Sequence, residues 1–153
     1  MKTSRCDKRL RCHDWTQSGI VALWHYEEPN RNYLGWHLNA DGRGCTSLCE
    51  LIDAMVADGA GATRRITITA PSRAMLAVPN CRQGKPISPQ TLRLSVHRSK
   101  NEWRFSSDAI SAEIRLGETW LHRLRQGIVS IHQGNGDYSI GAGSKDQQLW
   151  FWW

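Results

Sequence analysis

The chain has 153 residues, enough for one domain that buries roughly 68 to 70% of the surface it exposes unfolded. With 40% apolar and 22% charged residues it is neither a disordered nor a fibrous composition. Its longest purely apolar runs are about five residues, far short of the roughly 18 that a membrane-spanning helix needs, so no membrane partner is expected.

The first residues, MKTSRCDKRLRCHDW, are basic but lack the apolar stretch of a secretory signal, which points to the cytoplasm. Five cysteines (Cys6, Cys12, Cys45, Cys49, Cys81) make an odd count and suit reduced thiols rather than a disulfide framework. The net charge of +6 is uneven: residues 64–104 carry nine Lys or Arg against Glu102 alone, whereas residues 27–58 carry six acids against Arg31 and Arg43. Such asymmetry fits an anionic partner or two mutually attracting faces of one domain.

Residues 1–18 are polar and basic without apolar periodicity and are expected to form a mobile arm, with a single domain over 19–153. GIVALWHY and YLGWHL are rich in β-branched and aromatic residues, and EEPNRN between them has turn chemistry, so a hairpin is predicted. In SLCELIDAMVADG, Leu48, Leu51, Ile52 and Met55 form one helical stripe, with Ser47 and Glu50 as a capping box and Gly59 as the stop. RRITIT reads as a strand. Residues 70–90, holding four of the five prolines, read as a long loop with one short strand around Met75 to Val78.

TLRLSVH, EWRFS and AISAEIRL alternate with period two and predict an antiparallel meander buried on one side. A second helix is expected over about Glu118 to Gln126, ended by Gly127. IVSIHQ, YSIG and QLWFWW then read as strands around a GNGD turn in which Asn135 and Gly136 take positive φ. The expected class is α+β: a mostly antiparallel sheet of about eight strands with two helices in one compact domain.

Three constellations bear on function. The tail Leu149-Trp150-Phe151-Trp152-Trp153 is aromatic on both faces if it is a strand, so it is either covered twice over or offers Phe151, Trp152 and Trp153 to a partner protein or a second copy of the chain. Arg93, His97, Arg98, Lys100 and Arg104 gather on the polar face and turn of the meander and offer cations to a phosphate backbone. Cys45 and Cys49 near a helix start, with His37 upstream, are the raw material of a thiol nucleophile, and with Asp41 of a zinc site, although the C-x3-C spacing fits no usual zinc motif. Enzyme templates such as G-x-S-x-G, H-E-x-x-H and a Walker loop are absent. The expectation is therefore a non-enzymatic protein-binding module without metal or cofactor; nucleic-acid binding through the basic face and a cysteine enzyme are the alternatives.

Overall fold

A computed structural model describes residues 10–27, 33–77 and 85–153. After a 3-10 turn at Cys12–Asp14 come β1 (Val21–Tyr26), β2 (Trp36–Ala40), α1 (Gly42–Asp58), β3 (Thr63–Thr67), α2 (Arg73–Ala77) and β4 (Pro86–Ile87). There follow β5 (Thr91–Val96), β6 (Trp103–Ser107), β7 (Ser111–Leu116), α3 (Glu118–His132), β8 (Tyr138–Ile140), a 3-10 turn at Lys145–Gln147 and β9 (Leu149–Phe151). The α+β class holds, but the single eight-stranded sheet with two helices does not. Among the described residues there are three helices and two sheets, ordered β4-β1-β2-β9-β8 and β3-β5-β7-β6.

Each departure from the expected elements has a local cause. The first helix begins at Gly42, not near Ser47, because the Asp41 carboxylate caps it, accepting from Gly44 N at 2.7 Å and from Ile20 N at 3.0 Å. These two bonds hold the Asp41 carboxyl below its ordinary range. Ser47 sits inside the helix, where its hydroxyl accepts from Ser18 N. The expected stop at Gly59 is present, with φ at 79°. The region expected as a loop with a strand near Met75 contains the short helix α2 instead, and Pro86–Ile87 pairs with the end of β1; the predicted hairpin turn over 28–32 lies outside the described residues.

The second long helix runs through Gly127 to His132, so IVSIHQ is helix rather than strand: Leu121, Leu124, Ile128 and Ile131 form one continuous buried stripe. Gly127 is required by packing, since a Cβ there would collide with the ring of Phe151. In the turn that follows, Gly134 and Asp137 take positive φ, while Gly136 is small because a Cβ would meet Phe151 O at 2.6 Å.

The meander is also corrected. β5 pairs with β7 in parallel, and β6 lies beyond β7 as the antiparallel edge. The side chain of Gln147 covers that edge, accepting from Phe105 N at 2.6 Å and donating to Phe105 O at 2.8 Å.

One core joins the inner faces of both sheets to α1 and α3. The sheets touch where Trp36 of β2 stacks on Phe105 of β6, centroids 4.6 Å apart, and a parallel bridge from Ala22 to Thr69 links them elsewhere. Order reaches further toward the N-terminus than Gly19: Cys12 and Trp15 are buried, Trp15 Nε1 donates to Ser47 O at 2.8 Å, and Arg64 donates to Trp15 O. Residues 1–9 of the expected arm lie outside the described residues.

Strand β9 is central in its sheet, paired along both edges by β2 and β8, and its two faces are covered by two different clusters. Leu149 and Phe151 enter the main core, whereas Trp150 and Trp152 face a second cluster with Ala22, Trp24 and Tyr26. There the rings of Trp24, His37, Trp152 and Trp150 stack in succession across β1, β2 and the tail, at centroid spacings of 5.6, 6.0 and 5.9 Å.

Candidate nucleic-acid interface

The β3-β5-β7-β6 sheet buries Ile66, Leu92, Leu94, Val96, Ala112, Ile114, Leu116, Trp103 and Phe105 on one face. Period-two alternation then forces their neighbours onto the other face, which is open. Two rows of paired residues cross that open face. In one, Arg65 lies opposite Arg93, Arg93 opposite Glu113, and Glu113 opposite Ser106. In the other, Thr63 lies opposite Ser95, Ser95 opposite Arg115, and Arg115 opposite Arg104. Four exposed arginines thus share one sheet face with the single acid Glu113.

Two of those pairs, Arg65 with Arg93 and Arg104 with Arg115, set like charges directly opposite each other, an arrangement that destabilises a sheet. Glu113 offsets part of this, lying 3.5 Å from the guanidinium of Arg115. Among the described residues, the guanidinium groups of Arg65, Arg93 and Arg104 make no hydrogen bond or ion pair.

Of the basic residues expected here, Arg93 and Arg104 lie on the open face. His97, Arg98 and Lys100 lie in the turn joining β5 to β6, beyond the row that carries Arg104 and Arg115. His97 Nδ1 is engaged, accepting from Ser99 N at 3.0 Å. Arg65 and Arg115 were missed as site residues. Both carry the right parity in RRITIT and AISAEIRL, but the pairings that bring them together, β3 with β5 and β5 with β7, are not between consecutive strands.

The structure separates the other two constellations. Cys45 and Cys49 lie on the main-core side of the first sheet, Cys45 Sγ donating to Ala40 O, while His37 is on the opposite face in the second cluster. Burial pushes the Cys45 thiol up to about 11, with Cys49 and Asp41 adding to the shift, and burial also raises Cys49. A thiol nucleophile needs the opposite shift. At pH 8 the Cys45 thiolate is about a hundredfold scarcer than that of an unshifted thiol; alkylation of the folded protein by iodoacetamide should show Cys45 slowed by at least that factor. Among the described residues no three His, Cys, Asp or Glu side chains gather as a metal site would require.

His37 has a structural role. It is fully buried, and its Nδ1 accepts from Trp152 Nε1 at 2.8 Å, which places the imidazole proton on Nε2. Burial depresses its pKa to about 4; the nearby Tyr33 carbonyl pulls the other way, and His25 adds a smaller push down. The folded chain thus keeps His37 neutral at pH values where the unfolded chain, titrating near 6.5, takes up a proton. The stability this supplies is full above about 6.5, declines as pH falls and is gone near 4, a loss of about 3 kcal/mol. Urea unfolding at pH 7.5 and 4.5 should show this acid sensitivity in the wild type and its reduction in His37→Gln.

In the tail, Phe151 and Trp152 are fully buried, so neither is available to a partner; Trp153, 49% exposed, is the remaining residue of the expected contact. No helix among the described residues is long and apolar enough to cross a membrane. In comparisons with protein families, curated proteins and solved structures, the chain matches none.

Proposed function

We propose that the chain is a nucleic-acid-binding module that lays a phosphate backbone across the open face of the β3-β5-β7-β6 sheet. The observation that carries this reading is the convergence of Arg65, Arg93, Arg104 and Arg115 on one uncovered face, with two like-charge pairs in direct register. A face selected only for solubility has no reason to keep charges where they repel, whereas phosphates placed over them convert the repulsion into attraction. Arg98 and Lys100 extend the track at one end. The buried parity of Trp103 and Phe105 leaves no aromatic side chain on this face for base stacking, so recognition is of the backbone and tolerant of sequence.

The test is fluorescence anisotropy with labelled single-stranded and duplex oligonucleotides at two salt concentrations. About four phosphate contacts give a log-log slope near −3.6 on duplex, a fall of about 150-fold between about 50 and 200 mM salt. Absence of binding at the lower salt overturns the reading.

A further inference from the structure

At the turn joining β5 to β6, where the sheet that carries the arginine face ends, a cavity of about 110 Å³ opens on the helix side of that sheet. Its floor is apolar: Met55, Val96 and Leu121 are buried members of the main core, and Val56 packs against the same core. Its rim is charged, carrying the exposed side chains of Arg98, Lys100 and Glu118. Arg98 and Lys100 are the two cations that extend the arginine track, so a polyanion crossing the open face meets the mouth of this cavity as it leaves the sheet. Resting on the nucleic-acid reading above, we infer that the cavity takes one unpaired pyrimidine base of a single strand whose phosphates lie on the arginine face.

Size and chemistry select the same ligand. An aliphatic cavity of about 150 Å³ holds a benzene ring, whereas drug-sized ligands occupy about 300 Å³ or more. A space of about 110 Å³ suits one six-membered ring and is short of the fused pair in a purine. Apolar side chains hold the faces of an extruded base, and a cationic rim holds the phosphate attached to it. A free anion gains only the rim and an aliphatic chain only the floor; a nucleotide uses both. The wall also supplies a donor and an acceptor for a base edge. His97 Nδ1 accepts from Ser99 N at 3.0 Å, which puts the imidazole proton on Nε2 as a donor for a base carbonyl, and the Glu118 carboxylate is an acceptor for a base N–H. In a duplex those edges are already paired, so only a single strand delivers a base without a cost in unpairing.

One strand spans both features. His97 follows Ser95, of the row that ends in Arg115 and Arg104, by two residues, about 7 Å along an extended chain. The turn is pinned before any ligand arrives: His97 N donates to Leu116 O at 2.9 Å, Thr119 N to Lys100 O at 3.2 Å, and Trp120 Nε1 to Asn101 O at 3.1 Å. A site whose walls are already ordered loses little affinity to ordering.

Fluorescence anisotropy on the full chain at about 50 mM salt tests the assignment, with oligothymidylate of about twelve nucleotides, an abasic strand of the same length and charge, and a duplex. Oligothymidylate should bind at least about fivefold more tightly than the abasic strand. A single thymine placed within the abasic strand should recover most of that gain, and a single adenine less than half of it. Val56→Gln puts an amide into the apolar floor and should bring oligothymidylate down to the abasic level. Its duplex affinity should stay within about twofold of wild type, which separates a filled cavity from a lost fold. Equal binding of oligothymidylate and the abasic strand, equal recovery by adenine and thymine, or a preference that survives Val56→Gln overturns the inference. The reading of the arginine face stands in each of those cases as long as the duplex binds; no binding by any of the three probes overturns both.

Discussion

Replacing Phe151 by alanine is expected to lower the unfolding free energy by about 3 to 5 kcal/mol, the range for deleting a buried aromatic ring. The ring is fully buried, lies 5.3 Å from that of Tyr138, and fills the notch that Gly127 leaves in α3. The notch makes the prediction sharper than a cavity argument alone. In the wild type, Gly127→Ala drives a methyl into the ring and should cost about 1 to 3 kcal/mol, even though alanine is the better helix former by about 1 kcal/mol. In the Phe151→Ala background the obstruction is gone, so Gly127→Ala should become stabilising. A double-mutant cycle read by urea unfolding should therefore show a coupling of about 1 to 3 kcal/mol with a reversal of sign, and additive effects would disprove the interlock. Trp153→Ala, at the exposed end, should change stability by no more than about 0.5 kcal/mol.

The same contact shows why part of this fold could be read from the sequence and part could not. Alternation in TLRLSVH, EWRFS and AISAEIRL separates buried from open faces because a strand's two faces are set by local geometry, except at Ile110, which is 60% exposed because it precedes the start of β7. Which strands lie side by side is not local: β7 inserts between β5 and β6, and β9 inserts between β2 and β8. An aromatic tail on both parities is explained by a cluster packed on each face of the sheet, which periodicity does not encode. Gly127 looks like a helix stop because chain-terminating and close-packing glycines are the same residue; only the ring of Phe151, 24 positions away, tells them apart. Asp41 in place of Ser47 at the start of α1 is a competition between two good caps, and Asp41 wins by also accepting from Ile20 N. Of the candidate sites, the basic face was half visible, with Arg93 and Arg104 named and Arg65 and Arg115 hidden in a pairing of distant strands.

Arg65→Thr and Arg104→Thr are expected to make the protein more stable and a poorer binder. Each removes one partner of a like-charge pair and substitutes a β-branched residue that suits a strand, so each should add about 0.2 to 1 kcal/mol, or about 1 to 4 °C in melting temperature. Each also removes one phosphate contact, so the salt slope on duplex should become shallower by about 0.9 per substitution and affinity should fall alike for all sequences. Glu113→Gln should move both quantities the other way. It withdraws the one acid from the face and frees Arg115 for phosphate, tightening binding, while removing the attraction to Arg93 and Arg115 and lowering stability slightly. Opposed changes in stability and affinity across these three variants are what a face shaped by a polyanion requires. For a face that is merely solvated, charge removal has no binding to diminish, and a salt slope unchanged by Arg65→Thr and Arg104→Thr together would return these arginines to that role.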